Sequence, residues 1–294
     1  MIKYYKSFIP RNDFMKIIVT GSKGQLGTDV VTELEKNGIK TIGADLPEVD
    51  ITDAKAAEKF IAESNADAVI HCAAFTNVDA AESDLETCRK INAEGTENIA
   101  RSCKNHGLKL MYISTDYVFS GEGTEPFETD SKKAPCNNYG ITKLEGEEAV
   151  KEICSKFFIV RISWVFGENG KNFVKTMLRL SKEKDSLTVV DDQIGSPTYT
   201  KDLAVLLCEM IKSEKYGIYH ATNEGLCSWA EFAAKIMEKS GAKTKIIPVA
   251  SEEYKPAAVR PKNSRLSKKS LDENGFSRLP HWENALERFL LNVN

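Results

Sequence analysis

The chain has no apolar run approaching the roughly 20 residues that span a bilayer, no C-x-x-C pair, no internal repeat and no low-complexity tract. It has only four histidines, and its net charge is −3. Without a spanning segment or a basic excess, neither a membrane nor a nucleic acid is an expected partner. The seven cysteines (Cys72, Cys88, Cys103, Cys136, Cys154, Cys208 and Cys227) are odd in number and scattered, and only His71 and Cys72 adjoin. They read as reduced thiols of a cytoplasmic protein, not as a disulfide frame or a metal site. Residues 1–14 lack the apolar core and small-residue cleavage site of a signal peptide. Met15 directly precedes the first strand-like run, so residues 1–14 are expected to be an extension outside the fold.

What is present is a chain of 294 residues, 41% hydrophobic and 28% charged, which suffices for one large or two modest domains with a substantial core. Its first apolar run, Lys16 to Thr20, leads at once into Gly21-Ser-Lys23-Gly24-Gln25-Leu26-Gly27 and an amphipathic stretch to Asn37. A bare G-x-x-G-x-x-G also suits an ordinary connection. Strand, glycine turn and helix in succession is the context of a dinucleotide site, where glycines let backbone approach a pyrophosphate at a helix N-terminus.

The next strand, Lys40 to Ala44, ends in Asp45, placed to accept from adenosine ribose hydroxyls and to repel a 2′-phosphate. Lys23 pulls the other way, so NADH and NADPH both stay open. Asp50 and Ile51 suit an adenine edge; the Thr52-Asp53 part equally suits a helix cap. A third strand, Ala68 to His71, runs into Ala73 and Ala74, small enough for a cofactor to lie on the backbone, and Thr76, within reach of ribose or nicotinamide. A long helix from about Leu85 to His106 carries Asn92. The strand Lys109 to Ser114 delivers Thr115 to the carboxyl edge of the sheet, where ligands bind in doubly wound folds.

Residues 120–138 read as an irregular loop leading to Tyr139-x-x-x-Lys143. On a helix these two residues share a face, so the Lys143 ammonium is expected to lower the phenol pKa of Tyr139. An exposed helix start with an ordinary aromatic and lysine would look the same in isolation. Phe157 to Ile162 is a further strand, and Trp164 beyond it reads evenly as a core ring or a stacking wall for a sugar or base.

After this the alternation loosens. Lys171–Ser181, Lys201–Lys212 and Ser228–Ser240 read as helices, the last capped by Ser228 and stopped by Gly241. Thr188–Val190, Gly217–Ala221 and Ile246–Val249 read as extended. Arg260–Arg265 is a basic loop without pattern, and Pro280–Asn294 a helix with proline near its first turn. The expected fold class is α/β: a Rossmann-type doubly wound parallel sheet over residues 15–165 with a later returning strand, and a smaller carboxyl-terminal α/β substrate-binding domain over 166–294.

Ketone reduction by a nicotinamide needs an anchored hydride donor, a proton donor and a polar group on the oxygen. The glycine loop, Tyr139 with Lys143, and Thr115 supply these in turn, with Asn92 expected to hold Lys143 through a water. No metal is needed.

The set Gly21, Gly24, Gly27, Asn92, Thr115, Tyr139 and Lys143 resembles the extended short-chain dehydrogenase/reductase superfamily. Ala73–Glu82, Ser114–Phe119, Arg161–Gly167, Asn172-Phe173, Asp192–Thr198 and Arg260–Ser264 are in turn similar to the dTDP-4-dehydrorhamnose reductase family, from Met15 to about the carboxyl terminus. The resemblance implies reduction of dTDP-4-dehydro-L-rhamnose with NADPH or NADH, and it places Val78, Tyr117 and Trp164 near the sugar. Arg260 and Lys262 are candidates for a diphosphate or simply the charges of a solvated loop. Some family members hold Mg²⁺ through carboxylates at a homodimer interface, and those carboxylates find no match here. An epimerase, a reductase of another nucleotide-linked 4-keto-6-deoxy sugar, and a non-catalytic binding subunit such as the regulatory subunit of methionine adenosyltransferase are the alternatives. The presence of Thr115, Tyr139 and Lys143 together favours an enzyme.

Overall fold

Apolar runs buried on both faces are the mark of a parallel sheet covered by helices on either side, and the first half of the chain folds that way. The structure, a computed structural model, describes residues 15–253 and 257–293. The amino-terminal extension expected from the sequence lies outside the described residues. Strands β1 (Lys16–Thr20), β2 (Lys40–Ala44), β3 (Ala68–His71), β4 (Lys109–Thr115), β5 (Phe157–Ile162) and the segment Gly217–His220 form a six-stranded sheet. All its pairings are parallel, in the spatial order β2, β1, β3, β4, β5, Gly217–His220.

The helices in chain order are α1 (Gln25–Lys36), α2 (Ala54–Ser64), α3 (Val78–Ser83), α4 (Leu85–Arg89), α5 (Gly95–His106), α6 (Asn138–Ile153), α7 (Phe173–Leu180), α8 (Thr200–Lys212), α9 (Trp229–Ser240), α10 (Lys269–Glu273) and α11 (Trp282–Val293). Alternate strand residues face opposite layers. Ile17 and Val19 pack with Leu26 and Val30 of α1 and Leu203 and Leu207 of α8. Ile18 between them packs with Ile61 of α2, Ile99 of α5 and Val150 of α6. A third core, with Phe166, Phe232, Trp282 and Phe289, joins α7, α9 and α11 in the smaller lobe. There a parallel strand pair, Ser186–Val190 with Lys245–Val249, completes an α/β layer. Helix α9 has the expected Ser228 cap, reciprocated by Glu231, and stops at Gly241 with φ +73°.

Three expectations are corrected. The single helix from Leu85 to His106 is instead α4, a π-helical turn over Lys90–Glu94, and α5. The basic loop contains a short strand, Asn263–Ser264, which pairs with Ile194–Gly195. Pro280 lies in the strand Leu279–His281, and α11 begins after it; the Pro280 carbonyl accepts from Asn223 Nδ2 at 3.0 Å.

One buried group fixes α6 on the sheet. Glu147 and Arg161 are both 0% exposed and are joined through two bonds of 2.8 and 2.7 Å. Ser114 Oγ donates to Glu147 at 2.5 Å. Arg161 also donates to the Thr129 carbonyl at 2.8 Å and lies over the Phe119 ring. Removing one partner leaves a buried charge unpaired, at a cost of about 3–5 kcal/mol. Arg161→Met should therefore lose about that much stability in urea unfolding, and the double variant Glu147→Leu/Arg161→Met should recover most of it. An Arg161→Met protein as stable as the parent would contradict the placement.

Candidate active site

Between β1 and β3 the order of strands reverses, which is where doubly wound sheets bind ligands. A cleft of about 1190 Å³ opens there, more than the roughly 300–1,000 Å³ of a usual small-molecule pocket, so a dinucleotide and a second ligand both fit. Its wall includes Gly21, Lys23, Gly24, Gln25, Leu26, Gly27, Asp45, Asp50, Ile51, Ala73, Ala74 and Thr76 at one end. Val78, Thr115, Tyr117, Tyr139, Lys143 and Trp164 complete it. Among the expected site residues, Asn92, Arg260 and Lys262 are not part of the wall.

The glycine loop is shaped by close approach. Gly21 has φ +66°, and a Cβ there would lie 2.7 Å from the Ala73 nitrogen; a Cβ on Gly27 would run into the Gly21 carbonyl. Helix α1 begins at Gly24 with no side-chain cap, which leaves its first N–H groups to a ligand. Asp45 Oδ2 accepts from Ser22 Oγ at 2.5 Å and from the Lys23 amide at 3.0 Å. The Lys23 ammonium instead pairs with Glu48 at 3.0 Å, an exposed contact. Asp50 Oδ1 accepts from the Thr52 amide and hydroxyl, bonds that hold its carboxyl below the usual range, while Asp53 is the cap of α2.

At the other end, α6 is capped by Asn137, whose Oδ1 accepts from the Gly140 amide at 2.8 Å. A Cβ on Gly140 would collide with the Tyr117 carbonyl, so its absence lets the helix start press on the turn Asp116–Val118. That contact brings Tyr139 beside Tyr117, ring edge to ring face at 5.5 Å, and close to Thr115. The Thr115 hydroxyl donates to Asp116 Oδ1 at 2.9 Å and accepts from the Tyr117 amide at 3.2 Å.

The expected pairing of Lys143 with the Tyr139 phenol is corrected. Burial pushes the phenol up, the Asp116 carboxylate adds to this, and Thr115 offsets only part. The Lys143 ammonium donates to the Ile113 carbonyl at 2.7 Å and lies 4.0 Å above the Tyr112 ring. Its burial pulls its pKa down to about 7, against the opposing pull of Glu147. The Asn92 side-chain amide clamps the Phe75 backbone, accepting from the amide at 2.8 Å and donating to the carbonyl at 3.1 Å. Trp164 is half-buried: it stacks on Trp229 with centroids 3.8 Å apart and also lines the cleft, at a φ of +49° that is uncommon for a large residue. Arg260 is held by Asp79 of α3 at 2.7 Å, and Lys262 by Asp192 and Glu252.

The chain matches the family described as the RmlD substrate binding domain over residues 15–294. It is 38% identical to the dTDP-4-dehydrorhamnose reductase of Streptomyces griseus across 92% of this chain and 91% of that one. The chain belongs to the dTDP-4-dehydrorhamnose reductase family. It is also 42% identical to the spore coat polysaccharide biosynthesis protein SpsK of Bacillus subtilis, over 94% of this chain and 96% of that protein. Among solved structures it is similar to the Bacillus anthracis dTDP-4-dehydrorhamnose reductase in complex with NADP, with TM-score 0.93, 44% identity, and coverage of 95% and 99% of the two chains. The Thermus thermophilus UDP-glucose 4-epimerase, 19% identical with TM-score 0.81, shares the fold.

Several wall residues escaped the sequence reading. Asp116 is buried, and burial pushes its carboxyl up to about 6 against the opposing pull of Ser264 and Thr115. Leu46 is 69% exposed yet lines the cleft beside Asp45, and Lys90 and Lys171 reach it too. Only Asp116 had a sequence signal, its place in the Ser114–Phe119 segment. Among the described residues no cluster of three or more His, Cys, Asp or Glu side chains is placed to hold a metal. No described helix is long and apolar enough to cross a membrane.

The Lys143 shift sets a pH dependence. Its folded pKa of about 7 lies below the value of 10.5 from which it is displaced, so the unfolded chain binds the extra proton between these values and stability rises with pH across that window. The cost of charging a buried amine is full below about pH 7 and vanishes above the unfolded pKa. Lys143→Met should therefore melt above the parent at pH 6, with the gap closing towards pH 10 in thermal unfolding. A lower melting temperature at pH 6 would contradict the burial account.

Proposed function

We propose that the chain reduces the C4 ketone of dTDP-4-dehydro-L-rhamnose to the alcohol of dTDP-L-rhamnose, with NADPH or NADH as the reductant. The observation that carries this reading is the single cleft that joins an uncapped glycine-loop helix to Thr115, Tyr139 and Lys143. The nicotinamide supplies the hydride when bound. Everything else is done by side chains of this chain.

Burial keeps the Tyr139 phenol protonated, which is the state a proton donor needs before the ketone oxygen becomes basic. The Thr115 hydroxyl, at the end of β4, donates its one proton to Asp116 Oδ1 in the free protein and turns that proton to the ketone oxygen when substrate binds, while still accepting from the Tyr117 amide. Lys143 lies one turn along α6 from Tyr139 in the same dry wall. When the phenol gives up its proton, the negative charge favours the ammonium form of Lys143, whose pKa of about 7 leaves both forms accessible at neutral pH. Val78, Tyr117 and the cleft side of Trp164 supply the apolar and aromatic walls suited to a deoxy sugar.

The adenosine end suits either reductant. Asp45 Oδ1 is left to accept ribose hydroxyls, because both loop bonds fall on Oδ2. Lys23 is held by a surface pair of the kind worth about 0–1 kcal/mol, which a 2′-phosphate can displace.

Loss of the phenolic oxygen removes the proton donor and little else. Tyr139→Phe should lower turnover by about 10²–10⁴-fold while still binding NADPH, as read from decay of reduced-nicotinamide absorbance with dTDP-4-dehydro-L-rhamnose as substrate. Turnover at the parent rate would remove Tyr139 from the mechanism, and a parent protein that consumes neither cofactor would remove the reductase reading itself.

A further inference from the structure

A pyrophosphate carries about two negative charges, and a helix N-terminus answers with the equivalent of roughly half a positive charge. The glycine loop contains one cation, Lys23, and its ammonium is turned away onto Glu48. The dinucleotide end of the cleft therefore needs a cation from elsewhere.

Lys171 is the candidate. It lines the cleft, it is exposed, and among the described residues its ammonium has no ion pair or hydrogen bond. It arrives from the smaller lobe on a loop fastened to the first residue of α1. Gln25 Nε2 donates to the Val165 carbonyl at 3.3 Å, and Asn172 Nδ2 donates to Gln25 Oε1 at 2.9 Å and to the Gly167 carbonyl at 2.8 Å. A Cβ on Gly170 would sit 3.5 Å from Gln25 Cβ. Lys171 thus lies between two residues that touch the head of α1. Lys175 folds back onto the Glu168 and Gly170 carbonyls at 2.5 and 3.1 Å, which stiffens the loop from within. The nearest acid of the loop, Glu168, is taken by Lys201 and Tyr199 and does not compete for Lys171.

We propose that Lys171 is a ligand of the cofactor pyrophosphate, contributed across the cleft by the smaller lobe. The inference rests on the reductase reading only in taking the glycine-loop end as the dinucleotide seat. Gln25 holds the two lobes in register, and the bound pyrophosphate then becomes a second tie between them, through Lys171 on one side and the α1 amides on the other.

The test is fluorescence titration of NADH and NADPH, without sugar substrate, into the parent, Lys171→Gln, Lys171→Arg and, as a control outside the cleft, Lys182→Gln. Kd for both cofactors should rise by the same factor of about ten in Lys171→Gln, fall back towards the parent value in Lys171→Arg, and stay at the parent value in Lys182→Gln. Unchanged affinity for both cofactors overturns the proposal. So does a loss confined to NADPH, which would assign Lys171 to the 2′-phosphate. Unchanged cofactor Kd with a raised KM for the sugar nucleotide would give it to the substrate diphosphate and overturn the proposal as well. A parent protein that binds neither cofactor fails the dinucleotide reading, a result distinct from any difference between variants.

Discussion

The buried ion pair between Glu147 and Arg161 is the constraint on which the reactive end of the cleft depends. Each element that carries a reacting group is tied to it. Glu147 stands one turn beyond Lys143 on α6, Ser114 precedes Thr115 at the end of β4, and Arg161 holds the carbonyl of Thr129 in the loop that leads to Tyr139. His220 of the outermost strand meets the same guanidinium, and burial with that charge drives its pKa well below the ordinary value. Such a pair adds little net stability once desolvation is counted. What it provides is direction, because a bidentate guanidinium and carboxylate tolerate little rotation.

The same burial explains the electrostatics of the site. A phenol and an amine a turn apart on a helix suggest a phenolate and an ammonium, yet the dry wall favours the neutral form of each. In the proposed reduction the proton stays on Tyr139 until a ketone oxygen takes it, and Glu147, which pulls the Lys143 pKa upward, keeps the ammonium form within reach. Asp116 belongs to this balance too, since its carboxyl is buried against the same turn and raises the phenol further.

Much of this was legible in the sequence wherever local pattern and chemistry coincide. The strand, glycine turn and helix at Lys16–Lys36 announced themselves, as did the apolar run of β5, because a strand covered on both faces has to be apolar throughout; Gly217–His220, half-buried at the sheet edge, read only as extended. The π turn at Lys90–Glu94 was not legible. It follows from α6 coming close enough that a Cβ at Gly146 would meet the Asn92 carbonyl, a tertiary fact. Arg260 and Lys23 looked like free cations and are held by Asp79 and Glu48, partners 181 and 25 residues away in the chain. Lys171 looked like the start of a helix and stands in the cleft because Gln25 fastens its loop there. The sign of the Lys143 effect also required knowing its burial, which spacing along a helix does not contain.

Net transfer of the cofactor hydride to a sugar ketone is the step on which the proposed function stands. Its most direct test is to incubate the protein in ordinary water with dTDP-4-dehydro-L-rhamnose and a reduced nicotinamide carrying deuterium at the transferable position, then locate the label in the product by NMR. The account predicts deuterium on C4 of the product sugar, with oxidised cofactor formed in equal amount. A sugar recovered without deuterium while the cofactor remains reduced would contradict it.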